Sequence, residues 1–189
     1  MTPHESALPI WRLEKLVRLD VESGRLFWLA RTPDMFPPSS GRAVEHVSAN
    51  WNSRMAGKEA LAAPKGGGYR HGSIFGSHFL AHRVVFALSN GRWPNHQVDH
   101  INGDPSDNRP SNLRDATRIE NSRNMAISSR NSSGEVGVSW SNKELKWIST
   151  IVISGENKRI GSFVDFQEAV AARKQVERNA GFHPNHGRA

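Results

Sequence analysis

Residues 98–104 read Val-Asp-His-Ile-Asn-Gly-Asp, and the segment runs on through Pro105-Ser106-Asp107-Asn108-Arg109-Pro110-Ser111 to Asn112 and Leu113. Nearly every position between His100 and Leu113 favours a turn, so two short strands, around Val98 and around Leu113, must flank a polar loop. Thr117-Arg118-Ile119-Glu120 has the Thr-x-x-Glu form of a capping box. It starts a helix near residue 118 and places Asn121 in the first turns of that helix. The order is strand, loop, strand, helix.

The residue types in this frame point to phosphodiester hydrolysis. An adjacent carboxylate and imidazole, followed by two amides, supply one hard metal ligand, one general base and two neutral orienting groups. Asp99 with the side-chain oxygen of Asn121 would hold a hard divalent cation and leave coordination sites open for a phosphate. His100 can take a proton from attacking water near neutral pH, because an imidazole titrates near about 6.5. Asn112 could fix the ring's tautomer by accepting from its N–H. Neighbouring strand residues point to opposite faces, so Asp99 and His100 can serve one phosphate only if the strand ends there. A second reading of the same residues is local: Asp99 and His100 satisfy each other in a turn, and the asparagines are turn and cap residues.

Outward from this segment the chain reads as modules. Ile10, Leu13, Leu16 and Val17 fall at helical spacing and stop at the turn Asp20-Val21-Glu22-Ser23-Gly24, after which Arg25 to Leu29 form a strand. Residues 32–41, with three prolines and two serines, make a loop. Tyr69 to Phe75 and His78 to Ala81 form a hairpin around Gly76-Ser77, and Val84, Val85, Ala87 and Leu88 mark a helix ending at Asn90-Gly91. His82 and Arg83 begin that helix, where a phosphate contact and a packing histidine are both open readings.

The serine-rich run Ile127 to Gly134 reads as a linker. Three strands then follow, at Val136 to Ser141, Lys146 to Ser154 and Lys158 to Val164, as a meander. A helix from Phe166 to Ala180 closes it. The final Phe-His-Pro-Asn-His-Gly lacks a nearby carboxylate or thiol and reads as a flexible tail rather than a zinc site.

Lys plus Arg number 25 against 18 Asp plus Glu, for a net charge of +7 and a pI near 10.4. A polyanion is the expected partner. The absence of cysteine excludes disulfides, thiolate chemistry and Cys-based zinc knuckles. No secretory signal or window of eighteen apolar residues is visible, so no membrane partner is expected and the chain should stay in the compartment where it is made.

From about Phe79 to Met125, with AHRVVFALSNGRWPNHQVDHINGDPSDNRPSNLRDATRIENSRN, the chain resembles the HNH nuclease domain of phage and intron-encoded homing endonucleases. The preceding VESGRLFW and GYRHGSIFGSHFLAHR resemble what commonly precedes that module. The resemblance implies a ββα-metal fold and hydrolysis to 5′-phosphate and 3′-hydroxyl ends with one Mg²⁺ or Mn²⁺ per site. It makes Asp99 and Asn121 the metal ligands, His100 the base and Asn112 the central asparagine that orients it. Asn121 stands where many members have histidine, as in the H-N-N subgroup. The stretch from residue 134 to about 181 resembles an Apetala-type DNA-binding domain, in which the sheet enters the major groove and the helix supports it.

The expected architecture is α+β: a ββα-metal core preceded by small α/β elements and followed by a three-stranded antiparallel sheet packed on one helix. Expected boundaries are 1–64 for the N-terminal region, 65–126 for the nuclease, 127–135 for the linker, 136–181 for the second DNA-binding domain and 182–189 for the tail. Double-stranded DNA is the expected partner of a monomer or weak dimer, through Arg83, Arg114, Arg123, Arg130, Ser139, Trp140, Lys143, Lys146 and Arg159. A phage or prophage protein in the bacterial cytoplasm, nicking DNA at a directed site, is the implied setting. The alternatives are an inactive DNA-binding regulator and a binder of structured RNA.

Overall fold

A computed structural model of the chain describes residues 2–38, 41–124, 127–128, 130–184 and 186–187. The chain is α+β and divides into two compact units, Met1–Ala116 and Thr117–Ala189.

In the first unit, Thr2 caps α1 (Pro3–Ser6) by accepting from the Glu5 amide, while the Glu5 carboxylate accepts from the Thr2 amide. The next helix, α2 (Ile10–Leu13), is shorter than the apolar spacing predicts. Val17 instead opens β1 (Val17–Asp20), antiparallel to β2 (Arg25–Trp28) with Val17 opposite Trp28 and Leu19 opposite Leu26. The same four apolar residues reach the core from one helical turn and then a strand, and periodicity over so few residues cannot separate the two.

The helix α3 (Val44–Met55) has no counterpart in the sequence reading. Its inward face mixes polar and apolar groups: Ser48 Oγ donates to the Arg31 carbonyl at 2.7 Å, Asn52 donates to that carbonyl and accepts from the Arg31 amide, and Trp51 and Met55 pack against the core. Trp51 adds an edge contact to Trp28 and lies under the Arg31 guanidinium at 4.0 Å. A helix docked partly through amides and a hydroxyl leaves little apolar rhythm to read.

Strand β3 (Glu59–Ala60) completes the first sheet beside β2, and β4 (Ala63–Pro64), β5 (Arg70–Ile74) and β6 (Ser77–Leu80) form a second. The β5–β6 turn is Phe75-Gly76, both at positive φ, one residue earlier than expected. Positive φ at both central positions matches the twist that a two-residue hairpin needs. Helix α4 (Ala81–Asn90) ends at Gly91 in the left-handed conformation and leads to β7 (Gln97–His100), antiparallel to β8 (Leu113–Ala116).

One core joins these elements. Leu13, Leu16, Val17, Leu26, Ile74, Val84, Val85, Val98 and Leu113 belong to a single buried cluster, so the boundary expected at 64/65 separates no cores. Trp93 stacks on Phe79 and donates its indole N–H to the Leu8 carbonyl at 2.8 Å, tying the end of α4 to the chain's beginning. Each fully buried leucine here contributes about 1.5–3 kcal/mol of transfer free energy.

The second unit holds α5 (Arg118–Ser122), β9 (Val138–Ser141), β10 (Lys146–Ile153), β11 (Glu156–Phe163) and α6 (Phe166–Asn179). Its sheet is the antiparallel meander β11-β10-β9, with Trp147 on β10 packed against Phe166 of α6 at 4.7 Å between ring centres. The two compact units divide at 116/117, which groups α5 with the C-terminal sheet.

The expected linker contains an ordered turn. Asn131 Oδ1 accepts from the amides of Ser133 and Gly134, and its Nδ2 donates to the Glu135 carbonyl. The expected flexible tail folds back at Phe182, whose amide donates to the Glu177 carbonyl. Met125, Ala126 and Ser129 in the nuclease and linker spans, and Asn185, Arg188 and Ala189 in the tail, lie outside the described residues.

Candidate active site

The β7–β8 ladder pairs Asp99 with Arg114 and His100 with Leu113. Both residues are thus paired in the ladder, and His100 is the last residue of β7. Asp99 is buried and accepts at Oδ2 from Arg114 Nε at 2.9 Å, with Arg114 Nη2 at ion-pair distance, 2.7 Å. Arg114, expected to contact DNA, turns onto this carboxylate because it stands directly across the ladder.

His100 is buried and meets Asn108 Oδ1 through Nε2 at 3.0 Å. Its ring packs edge-on against His82 at 5.2 Å and Tyr69 at 5.9 Å, and those two rings lie 5.3 Å apart. Burial, and then positive charge on His100, push the His82 imidazole down to about 3. It is the packing histidine of the two readings, a neutral wall beside His100.

Asn112 does not hold the imidazole. Its Oδ1 accepts from the Asn102 amide at 2.9 Å, and its Nδ2 donates to Asn102 Oδ1 at 2.9 Å and to the Asp107 carbonyl at 2.8 Å. It braces the loop between the strands, where one short amide can answer several backbone groups at once. Within that loop Asp107 is ion-paired with Arg109 at 2.6 Å, and hydrogen bonds led by Arg109 hold its carboxyl down to about 2. Sequence reasoning missed Asn108, since a buried amide in a run of turn formers carries no signal of its own.

Arg83, also expected on DNA, is committed elsewhere. Its guanidinium ion-pairs with Glu5 and donates to the His96 carbonyl, and both partners of the pair are largely buried. Arginine at the start of α4 is thus a clamp on the N-terminal segment.

In the second unit, the capping box at Thr117 and Glu120 forms as expected, and Asn121 is half-buried on α5. Arg123 lies over the Phe182 ring at 5.0 Å. Arg130, Ser139, Trp140, Lys143, Lys146 and Arg159 are exposed. Arg159 pairs with Glu144, whose carboxyl is lowered chiefly by that contact.

The ladder divides the expected DNA-binding set between two faces. Trp140 pairs with Trp147, whose ring lies against α6, whereas Ser139 lies opposite Ile148, Lys146 opposite Ser141 and Arg159 opposite Thr150, on the face away from the helix.

Among the described residues no cluster of three or more His, Cys, Asp or Glu could hold a metal. A carboxylate and an amide oxygen, the donors expected here, still suit a hard divalent cation.

The HNH endonuclease family matches residues 79–123, the segment that holds Asp99, His100, Asn108, Asn112 and Asn121. Over 91 residues the chain is 37% identical to protein 3.8 of Escherichia phage T7, covering 48% of this chain and 74% of that one. Residues 79–123 are an HNH endonuclease domain, in a chain related to that phage protein. No solved structure matches the chain. HNH nucleases generally use a divalent metal, and the family implies DNA as substrate. Among the described residues of this HNH protein, no helix is long and apolar enough to cross a membrane.

Proposed function

We propose that this protein is a metal-dependent DNA endonuclease that hydrolyses phosphodiester bonds to 5′-phosphate and 3′-hydroxyl ends. His100 is the general base, and Asp99 is a ligand of one Mg²⁺ or Mn²⁺. The observation that carries the reading is a buried imidazole, hydrogen-bonded and walled by rings, at the end of a strand immediately after a carboxylate, inside the HNH match.

When bound, the cation supplies charge neutralisation at the scissile phosphate and the leaving oxygen. Asp99 presents a carboxylate already oriented by Arg114. His100 takes the proton of the attacking water, and its rigid surroundings keep the ring aimed throughout the step. Asn112 keeps the loop in shape.

The basic, exposed groups of the C-terminal sheet, Lys143, Lys146 and Arg159 with Ser139 and Trp140, would engage duplex DNA, in the manner of the Apetala-type domain it resembles. The split of these groups over two faces favours Lys146, Arg159 and Ser139 as the groove-facing set, with Trp140 at its margin. With one site per chain, a monomer nicks one strand. The phage relative supports a phage- or prophage-encoded enzyme, and the homing type and the bacterial cytoplasm are carried over from the resemblance.

Supercoiled plasmid incubated with Mg²⁺, Mn²⁺ or EDTA tests the reading. Open-circle product with either metal, none with EDTA and none from His100→Ala is expected. Undiminished cutting by His100→Ala would remove the base.

A further inference from the structure

We infer that Asn108 is a positioning residue for His100, its side-chain oxygen fixing the neutral ring in the tautomer that carries the proton on Nε2 and leaves Nδ1 to accept. The inference rests on the reading of His100 as the base. An amide oxygen has only lone pairs to offer, so the contact at 3.0 Å requires that Nε2 be the donor. In the hydrolytic step Nδ1 then takes a proton from water, the water oxygen bonds to phosphorus, and the P–O3′ bond breaks. The 3′-oxygen leaves with a proton from solvent.

The loop is built around this one side chain. Asn112 grips the residues on both sides of it: its Nδ2 donates to the Asp107 carbonyl at 2.8 Å, and its backbone amide donates to the Arg109 carbonyl at 2.8 Å. From outside, the β1–β2 turn presses on the same point. Gly24, at φ +69°, has no side chain, and a Cβ there would stand 2.2 Å from the Asn108 carbonyl carbon and 2.4 Å from its oxygen. Only glycine permits so close a backbone approach. On the ring's remaining sides stand Tyr69 and His82.

Asn108 is itself buried, so its amide has exchanged water for the imidazole. A buried amide merely filling a loop would need none of this register. The central asparagine, Asn112, therefore acts on the base through Asn108.

The test uses the full-length protein and two readouts. In single-turnover cleavage of plasmid with saturating Mn²⁺, Asn108→Ala should cut about 10²- to 10³-fold more slowly, with DNA affinity unchanged. Asn108→Asp, which keeps the acceptor oxygen, should recover most of the rate. In ¹⁵N spectra of metal-free protein at alkaline pH, the parent and Asn108→Asp should show His100 protonated at Nε2, and Asn108→Ala a mixture of tautomers. If Asn108→Ala fails to fold, Asn108→Ser, whose hydroxyl falls short of the ring, carries the same expectation. A parental rate together with a parental tautomer in the folded Ala or Ser variant overturns the inference. The spectra report on Asn108 even if His100→Ala still cuts, so failure of the base assignment remains distinct from failure of the positioning role.

Discussion

Arg114 holds one oxygen of Asp99 by a hydrogen bond from Nε and an ion pair through Nη2, from directly across the β7–β8 ladder. The carboxylate proposed as a metal ligand is therefore charge-compensated before any cation arrives. Arg114→Ala should have two effects. Metal-free stability should fall by about 1–3 kcal/mol, because a buried acceptor loses its donors. The half-saturating Mn²⁺ concentration for cleavage should also fall, by several-fold, because a competing positive charge is gone. Denaturant titration in EDTA and a metal titration of nicking measure the two. A rise in the Mn²⁺ requirement would instead make Arg114 an obligatory orienting group.

The Glu5–Arg83 pair makes a separate prediction in acid. Burial works to raise the Glu5 carboxyl, but the hydrogen bonds from Arg83 and the Thr2 amide outweigh it and leave it below its ordinary 4.5. A depressed carboxyl contributes stability that is present above its unfolded value and is lost as pH falls below it. Melting temperature plotted against pH should thus be flatter below about pH 4.5 in Glu5→Gln than in the parent. Arg83→Ala should lose about 3–5 kcal/mol, since it leaves a buried charge unpaired, and DNA affinity measured in the cold should remain unchanged.

His82 gives a sign of its own at higher pH. Its folded value of about 3 lies below the ordinary 6.5, so its contribution is complete above 6.5 and declines as pH falls from there. Up to roughly 1.4 kcal/mol per pH unit is at stake while only the unfolded chain takes the proton. Between about pH 6.5 and 5, above the range where carboxylates titrate, His82→Phe should show a flatter stability curve than the parent. Equal slopes would place His82 in contact with solvent.

The two tryptophans of the C-terminal sheet should separate binding from folding. Trp140 is 46% exposed beside Trp147 on the helix-side face, so Trp140→Ala should weaken DNA binding less than Lys146→Ala does, with little change in melting temperature. Trp147→Ala should destabilise the second unit by about 3 kcal/mol, because its ring fills the space against Phe166. Lys146→Ala should reduce the salt dependence of DNA binding by about one unit of slope. An unchanged slope would remove Lys146 from the phosphate contacts.

Much of this was readable in the residues. Turn chemistry between Ile101 and Asn112 and the capping box at Thr117 have local causes and appear where expected, and the meander expected over Val136 to Val164 forms with its ends shifted by one or two residues, Glu156 and Asn157 joining the last strand rather than the turn. Helix α3 escaped because two of its docking groups, Ser48 and Asn52, are polar and bond to the backbone of a single residue, Arg31. Arg83 and Arg114 read as surface charges because their partners, Glu5 and Asp99, are 78 and 15 positions away. Asn108 was missed for a related reason. Its importance depends on Gly24, a residue of a different hairpin, and no local pattern couples the two.

The ring of Phe182, lying beneath Arg123, gives the chain's end a mechanical part to play. A five-residue helix is too short to persist by its own hydrogen bonds. The carrier of Asn121 therefore owes part of its persistence to an aromatic bolt just past the close of α6. Loss of that ring should loosen Asn121 before it loosens the sheet.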